Sequence, residues 1–392
     1  MNQSVECPTG LAHGMGTAFV PPDWPVLTRD EVGDLLRLYP DTGPLEGFLF
    51  CSPRPFSSAA LVATGRGTLF VKRHHRVVRD EEGVFEEHRF IAYLRHAGLS
   101  VPDVLPNVRG STTTATGDWV YEVHRPAEGV DLYRDAMSWS PFVAPSHGLS
   151  AGQALARLHR AAEGFLWPRR AVRPLVSSFT IFAAADPRPC LDRYVARRPN
   201  LRRFLADRPG WRDEILDALM PFHAVLLPFL DGFRPLWTHN DWHASNLTWS
   251  THGADAEVRV ILDFGLADRT CALHDLATAI ERNAMEWLML PADSIVHFDL
   301  VDALLDGYDS VTPLSPWHYR AMAALLPLVH AEFALSEVDY FEGVTGSREN
   351  ALVAYDTFLL GHAQWFNSPE GRRLLNHVRS RALPLAANEE AS

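Results

Sequence analysis

The spacing of apolar residues divides this chain into a shorter part that mixes strands with a helix and a longer part that is mostly helical. Residues 59–64 and 68–72 are β-like apolar runs on either side of a Gly-Arg-Gly turn, a pattern that predicts a hairpin. Residues 81–96 then carry apolar side chains at helical spacing, and residues 119–123 form another strand-like run. Hairpin, helix and strand together indicate a small α+β lobe.

The segment before this lobe has a different character. Residues 1–27 are rich in Pro, Gly and Thr, which is typical of a flexible or loosely docked arm. Thr28, followed by Glu31 three residues later, predicts a capped helix, because side chains at this spacing satisfy the free backbone N–H groups of the first turn. We expect this helix to stop near Pro40.

Helical spacing dominates after about Gly129. It predicts helices over residues 152–162, 211–230, 275–287, 295–308, 316–336 and 352–362. Two strand-like runs, residues 236–239 and 259–262, interrupt this pattern. The Arg- and Pro-rich segment 168–203 is interpreted as an insertion that contains loops and presents its basic residues to solvent.

The predicted fold class is therefore α+β with unequal lobes. We expect an arm and short helix over residues 1–44, a small lobe over 45–128 and a large helical lobe over 129–392. The strand-like runs of the large lobe carry the polar motifs described below.

Composition narrows the function only a little. The chain has 392 residues, of which 47% are hydrophobic and 21% charged, as in an ordinary globular protein. The net charge of −12 argues against general nucleic-acid binding, which relies on Lys and Arg contacts to phosphates. An acidic balance is compatible with a cationic small substrate, but it is also common in cytosolic proteins.

The cysteines and the apolar stretches bear on the cellular location. The four cysteines are far apart and form no CxxC pair, so we expect neither a zinc ribbon nor disulfides, and a reducing compartment. The amino terminus lacks a secretory signal pattern, and the longest apolar stretches are short for a membrane span. We expect a cytoplasmic protein without a membrane partner.

The two strand-like runs of the helical part lead into residues with oxygen-bearing side chains. Asp241 and Asn246 lie five residues apart after the first run, and Asp263 ends the second. At this spacing one turn places a carboxylate at a substrate hydroxyl while an amide oxygen reaches a metal. Because Mg²⁺ prefers oxygen ligands and takes only one or two carboxylates, the set indicates Mg-dependent phosphoryl transfer. Either half alone is also explained by turn residues or a helix cap.

A family resemblance follows from these two motifs. Residues 239–246 are His-Asn-Asp-Trp-His-Ala-Ser-Asn, and residues 262–265 are Leu-Asp-Phe-Gly. They resemble the aminoglycoside phosphotransferase and choline kinase-like branch of the protein-kinase-like fold, which typically shows His-x-Asp-x-x-x-x-Asn followed by Ile-Asp-Phe-Gly or Ile-Asp-Trp-Glu. The resemblance covers residues 45–365. It implies a two-lobed, ATP- and Mg-dependent kinase with a small-molecule hydroxyl acceptor.

The resemblance implies a role for each oxygen ligand. Asp241 would be the catalytic base or the group that orients the acceptor hydroxyl. Asn246 and Asp263 would hold Mg²⁺ beside the nucleotide.

The resemblance also implies supporting roles around the loop. His239 would brace the loop from behind, and His243 would pack beside it rather than transfer a proton. Asp275 matches the family's acidic residue at the start of the next helix, where we expect it to cap that helix or tether the catalytic loop.

The small lobe of such a kinase supplies a lysine on a strand and a glutamate on the following helix, because a fixed ammonium must hold the phosphates. Lys72 ends an apolar strand and is the candidate for the lysine. The possible partners are Glu81, Glu82, Glu86 and Glu87. We expect Glu87 to pair with Lys72, with Glu86 as the alternative.

The match is weakest at the loop that would cover the phosphates. No glycine-rich run is present, and residues 52–58 (Ser-Pro-Arg-Pro-Phe-Ser-Ser) lie between the first two strands. Antibiotic kinases of this type often use serines and backbone N–H groups there. Ser57 and Ser58 are therefore candidates for phosphate binding, although an ordinary turn explains them equally well. The nucleotide base would lie against residues 122–127.

Other functions fit parts of the pattern. His239, Asp241 and His243 have the His/Asp density of a metal-dependent hydrolase, but that interpretation leaves Asn246 and Lys72 without a function. A nucleotide-binding pseudokinase is the non-enzymatic alternative. A protein kinase is disfavoured because no Ala-Pro-Glu-like segment follows the second motif.

The sequence leaves the acceptor open among aminoglycosides, amino alcohols, sugars and hydroxy amino acids. Acidic residues of the helical part are candidates for its pocket, although most are more simply interpreted as helix-surface charges. They are Glu281, Glu286, Glu332, Glu337, Asp339 and Glu342. The choice between ATP and GTP and the oligomeric state are left open as well.

Overall fold

The amino-terminal lobe is built on a five-stranded antiparallel sheet in the computed structural model, which describes residues 11–137, 139–171, 173–290 and 294–383. Before the sheet lie β1 (Ala12–His13), β2 (Phe19–Val20) and α1 (Arg29–Leu36). The strands of the sheet and the helix between them are β3 (Leu45–Cys51), β4 (Ser58–Thr64), β5 (Gly67–His75), α2 (Glu81–His96), β6 (Thr114–Thr116) and β7 (Trp119–His124). The strand order is β3-β4-β5-β7-β6, and the predicted hairpin, helix and strand are confirmed.

The short helix α1 begins at the predicted cap. The Thr28 hydroxyl accepts from the Glu31 N–H, and the Glu31 carboxylate accepts from the Thr28 N–H. Its apolar residues Val32, Leu35 and Leu36 are buried against the sheet and join the core of the small lobe. The capping box and the buried apolar face both match the prediction, because the same helical spacing of residues determines both.

The segment before α1 is docked rather than loose over the residues that the structure describes. Asp23 accepts a 2.8 Å hydrogen bond from the hydroxyl of Tyr340, a residue of the large lobe. Trp24 stacks on His75 of β5, with ring centroids 4.8 Å apart. The prediction of a loose arm is therefore wrong for residues 11–27, because polar and aromatic side chains hold this segment against both lobes.

The large lobe is mainly helical, as predicted. Its helices are α3 (Pro145–Ala162), α4 (Arg188–Ala196), α5 (Pro199–Ala206), α6 (Trp211–Leu226), α7 (Ala272–Asn283), α8 (Phe298–Val311), α9 (Pro316–Leu325), α10 (Ala331–Tyr340), α11 (Arg348–Leu352), α12 (His362–Trp365) and α13 (Pro369–Ser380). Its strands are β8 (Pro235–Thr238), β9 (Leu247–Trp249), β10 (Val258–Ile261) and β11 (Asp268–Cys271). The helix predicted over 316–336 is interrupted by a 3₁₀ turn at Leu326–Leu328 and continues as α10.

The segment 168–203 differs from its prediction. It contains α4 and the beginning of α5, and its arginines are not uniformly solvated. Arg170 and Arg198 are only 6% and 3% exposed. The basic composition did not indicate their burial. An arginine can be buried when several partners accept hydrogen bonds from its guanidinium or stack on it.

Two short strand pairs place the motifs. β8 pairs with β11 and β9 with β10, both antiparallel. The loop 239–246 joins β8 to β9, and Asp263 follows β10. The two motifs are also linked directly, since the Leu262 N–H donates to the Asn246 carbonyl at 2.8 Å. Trp237, Trp242 and Phe264 are fully or almost fully buried beneath this arrangement and fix it to the core.

Two features concern location and oxidation state. By length and composition, two helical stretches of the described chain are apolar enough to cross a membrane, contrary to expectation: Trp211–Gly232 and Pro316–Thr345. The apolar window of Pro316–Thr345 is wholly buried in the fold, so these apolar residues form part of the protein core. Cys190 and Cys271 are free thiols, whereas Cys51 is disulfide-bonded, so the expectation of no disulfide is wrong.

Candidate active site

The catalytic loop is held from below by Asp275. One carboxylate oxygen of Asp275 accepts from the His239 N–H and the other from the Asn240 N–H, both at 2.8 Å. The first oxygen also lies 3.0 Å from Nε2 of His159. Asn240 has a φ of 60°, a conformation that asparagine adopts at lower cost than most residues. Asp275 lies in the first turn of α7, and its contacts are those of a tether for the loop.

His239 connects the two motifs. Its Nε2 lies 2.8 Å from the Leu262 carbonyl, and its Nδ1 accepts from the Asp241 N–H at 3.2 Å. These two contacts fix the orientation of the imidazole ring. Both ring nitrogens are therefore occupied by hydrogen bonds inside the protein, which leaves His239 without a free ligand atom.

Asp241 faces the cleft and is surrounded by cationic or polar groups. Burial raises its pKa, but His243, Arg282 and His239 outweigh that effect and hold the pKa of Asp241 well below its usual value. Nε2 of His243 lies 3.5 Å from one carboxylate oxygen of Asp241. The amide nitrogen of Asn246 donates to the backbone carbonyl and the carboxylate of Asp241, at 2.9 and 3.1 Å. Asp241 is thus an ionised, oriented carboxylate.

Asp263 lies across the cleft from this loop. It has a φ of 50°, which is uncommon for a non-glycine residue and typical of functional positions. Its Oδ1 accepts from Lys72 Nζ at 3.0 Å and from the Gly265 N–H at 3.1 Å. Burial lowers the pKa of Lys72, but Asp263, Glu122 and Glu87 raise it above the usual lysine value. Lys72 is a fixed ammonium at the metal motif.

Glu87 does not form the expected hydrogen bond with Lys72. Its Oε1 accepts from Arg79 Nε at 3.1 Å and from Arg170 Nη2 at 2.7 Å. Both arginines also donate to the carbonyl of Gly265, at 2.7 and 2.9 Å. The expected pairing is therefore corrected: two arginines take up Glu87, and through them it supports the turn that carries Asp263.

The two candidate serines of the phosphate loop point in different directions. Ser57 lines the cleft together with Lys72 and Asp263. Ser58 begins β4, and its hydroxyl donates to the Pro25 carbonyl at 2.7 Å, so it is turned toward the amino-terminal segment. Arg54 of the same loop also lines the cleft, and Asp241 and Asp263 both act on its charge. Of the two candidate serines only Ser57 lines the cleft, and the motif pattern did not single out Arg54.

The side of the cleft around Arg282 is lined by aromatic and charged residues. The Arg282 guanidinium lies 4.0 Å from the ring centroid of Trp139 and 5.2 Å from that of Phe333. One of its nitrogens is 3.8 Å from Oδ1 of Asp241. Glu337 lines the same cleft, and burial raises its pKa to about 8. An arginine and a carboxyl with a raised pKa therefore line the cleft together with Asp241.

Several acids assigned to helix surfaces are buried instead. Four of the six named above are less than 5% exposed: Glu281, Glu332, Glu337 and Asp339. Glu332, for example, accepts from the hydroxyls of Ser178 and Thr180 and from backbone N–H groups. Helical periodicity could not reveal this, because the partners come from distant segments.

The oxygens of the cleft fit a divalent cation. Asp241 and Asp263 carry carboxylates, and Asn246 uses its NH₂ group on Asp241, which leaves its amide oxygen as an acceptor. All three residues line the same cleft. Such a set of hard oxygen ligands suits Mg²⁺, which keeps some positions for phosphates and water.

Comparison with known proteins agrees with this geometry. Residues 56–314 match the phosphotransferase enzyme family. The chain belongs to this family, and it is a small-molecule kinase of the protein-kinase-like fold. The antiparallel small lobe, the helical large lobe and the suspected family are thereby confirmed.

Three individual proteins resemble the chain at low sequence identity. A homoserine kinase from Rhodopseudomonas palustris is 27% identical over 321 residues, covering 79% of this chain and 82% of that protein. An aminopropanol kinase structure superposes with a TM-score of 0.55 at 18% identity, covering 88% of this chain and 98% of the other. An amicoumacin kinase solved with AMP-PNP, Ca²⁺ and Ami gives a TM-score of 0.54 at 15% identity, with 90% and 92% coverage.

Proposed function

We propose that this kinase transfers the γ-phosphoryl group of ATP to a hydroxyl of a small molecule, with Asp241 as base and Mg²⁺ as the metal. The observation that carries the proposal is that Asp241, Asn246, Asp263 and Lys72 line one cleft. The kinase relatives use small-molecule acceptors, and the amicoumacin kinase was solved with an ATP analogue and a divalent cation. An ATP-dependent reaction with a divalent metal is the simplest chemistry that these relatives and this cleft can share.

Each residue has a defined task in this reaction. Asp241 orients the acceptor hydroxyl and takes its proton, and its low pKa keeps it ionised at neutral pH. Lys72 binds phosphate oxygens of ATP and Ser57 contributes a hydroxyl at the same side. Asn246 and Asp263 hold Mg²⁺, which supplies charge neutralisation for the transferring phosphoryl group. Holding these groups in one geometry removes much of the entropic cost of bringing two substrates together.

The acceptor side favours a small molecule that carries both an ammonium and a carboxylate, that is, a hydroxy amino acid. Arg282 suits a carboxylate because its guanidinium is fixed between two aromatic rings beside Asp241. Glu337 suits an ammonium, since a cation close to a carboxyl of raised pKa favours its ionised form. The homoserine kinase relative, which spans most of both chains, supports this choice.

A metal-dependent hydrolase that uses His239, Asp241 and His243 fits the structure poorly. Both ring nitrogens of His239 are engaged in hydrogen bonds, and Nδ1 of His243 lies 2.8 Å from the Ser245 hydroxyl. These histidines are held as supports. A pseudokinase is disfavoured as well, because Lys72, Asp241, Asn246 and Asp263 are all present in the cleft.

The test is a measurement of ADP release with homoserine and with 3-aminopropan-1-ol, which lacks only the carboxylate. Aminoglycosides and sugars complete the panel, and Asp241→Asn serves as the inactive control. We expect turnover with homoserine and at least a tenfold lower kcat/KM with the amino alcohol. Turnover of the parent that equals that of Asp241→Asn on every acceptor would identify a pseudokinase. Equal use of both alcohols would remove the carboxylate from the proposal.

A further inference from the structure

A second group of ligand-type side chains lies outside the catalytic site. Glu281 of α7, His330 just before α10 and His362 of α12 are only 3%, 6% and 3% exposed. One ligand atom from each lies within 4.8 Å of the other two. Three elements that are distant in sequence therefore bring a carboxylate and two imidazoles together inside the large lobe.

Four polar atoms of this cluster have no hydrogen bond within the described residues. They are Oε1 of Glu281, Nε2 of His330, and Nδ1 and Nε2 of His362. Buried polar atoms in native proteins are nearly always satisfied, so several unsatisfied atoms at one place indicate a missing ion or water. Aromatic rings pack against both histidines: Trp139 and Phe358 contact each of them, and Trp287 stacks on His362.

The distances suit a metal better than a hydrogen-bonded triad. Nδ1 of His330 and Nδ1 of His362 lie 3.2 and 3.7 Å from the same oxygen, Oε1 of Glu281. Bonds of about 2.0–2.2 Å at tetrahedral angles place neighbouring ligand atoms about 3.3–3.6 Å apart around zinc. The two measured separations bracket this range.

A second cluster of the same composition provides a comparison. His88, Glu122 and His124 of the small lobe also lie within ligand distance of one another. There, however, Glu122 is engaged by Nε2 of His88 and of His124 at 2.7 Å, and by His74 at 2.9 Å. Hydrogen bonds therefore satisfy the Glu122 carboxylate in the His88 cluster, whereas polar atoms of the Glu281 cluster have no hydrogen-bond partner.

We propose that Glu281, His330 and His362 bind one divalent transition metal ion of the Zn²⁺ type, independently of the catalytic Mg²⁺. Two imidazoles suit zinc rather than magnesium, and zinc also accepts a carboxylate oxygen as a further ligand. The ion neutralises the buried Glu281 carboxylate. It also fixes the wall of the acceptor pocket, because Trp139 packs edge-on against His330 and His362 at 5.1 and 5.9 Å and carries Arg282 on its face.

The first test uses the full-length protein stripped with a chelator and held in saturating Mg²⁺, so that the catalytic oxygens are occupied. We expect titration with Zn²⁺ to show about one tight site per chain and to raise the melting temperature. His330→Gln and His362→Gln should abolish this uptake. His88→Gln in the small-lobe cluster and Asp263→Asn in the catalytic site should retain it.

The second test replaces zinc by Co²⁺ in the parent protein and needs no variant to fold. A four-coordinate Co²⁺ ion gives strong visible absorption, and it should quench the fluorescence of Trp287, whose ring stacks on His362 at 3.8 Å. Absence of tight zinc uptake and of this absorption in the parent would overturn the proposal. So would loss of uptake in His88→Gln or Asp263→Asn to the same extent as in His362→Gln.

Discussion

The nucleotide side and the acceptor side of the cleft are held in different ways. On the nucleotide side, Asp241 and Asp263 are fixed by hydrogen bonds to groups in their own motifs, such as Asn246 and the Gly265 N–H. On the acceptor side, Trp139, Arg282 and Glu337 come from separate elements and meet only in the folded chain. The first side combines contacts within its motifs with distant supports such as Lys72, whereas the second depends on tertiary packing alone, so variants of the two sides should fail in different ways.

The largest effect is expected from Asp241→Asn on the nucleotide side. The substitution removes the base while keeping the shape of the side chain, so kcat should fall by about 10²–10⁴-fold, as for other general bases. Steady-state ADP release and ATP binding by calorimetry measure the two consequences separately. Binding of ATP should stay within a few-fold of the parent, and a kcat that is unchanged would contradict the assignment of Asp241.

Glu87→Gln tests the corrected contact in the support of the metal motif. Arg79 and Arg170 would lose their buried counter-ion, which costs about 3–5 kcal/mol of stability for a broken buried pair. Thermal and urea unfolding measure this loss. Glu86→Gln is the matched control, because Glu86 only approaches Arg170 at 3.5 Å and should cost much less. Equal losses of stability in the two variants would leave open whether Glu86 or Glu87 supports the metal motif.

Arg282→Met tests the acceptor side. Loss of a charge-assisted contact of about 1.5–3 kcal/mol predicts a KM for homoserine that is about 10–100-fold higher. The KM for ATP should change little, in contrast to variants of the nucleotide side. The comparison acceptor is 3-aminopropan-1-ol, whose KM should be nearly insensitive to the substitution. A matching rise in KM for both acceptors would show that Arg282 acts on the pocket as a whole.

The smallest effect is the pH dependence caused by Glu337. Its pKa is about 8 in the folded protein, mainly because of burial, and lower in the unfolded chain. Between these values the folded state keeps a proton that the unfolded chain has released, so stability falls as the pH rises. The linked change is about 1.4 kcal/mol for each unit of pKa difference.

Glu337→Gln should remove this decline. The melting temperature of the variant, relative to that of the parent, should increase from pH 5 to about pH 8 and then level off. Thermal unfolding in buffers of equal ionic strength measures the difference. A constant difference across this range would show that Glu337 does not carry the shifted proton.

The extent to which sequence predicts the site follows the same division. Asp241, Asn246 and Asp263 were found because their spacing along the chain is itself the signal. Lys72 was found because it lies on a recognisable strand, although β5 continues three residues beyond the predicted end, to His75. The arginine partner of Glu87 was not predicted. Arg170 lies more than eighty residues from Glu87, in a segment whose sequence resembles a solvated loop.

Packing decided the remaining differences. Ser58 is turned away from the cleft by Pro25 of the amino-terminal segment, whose docking could not be inferred from its composition. Arg282 and Glu337 stand in ordinary helical sequence, and only their position beside Asp241 distinguishes them from surface charges. The fold itself was largely predictable, because apolar spacing reports strands and helices directly.

The carbonyl of Gly265 has a consequence for motion. Arg79 of the small lobe and Arg170 of the large lobe both donate to it while sharing Glu87. Separating the lobes at this point would leave buried charges without partners, which is costly. The joint therefore resists separation of the two lobes at the turn that follows Asp263.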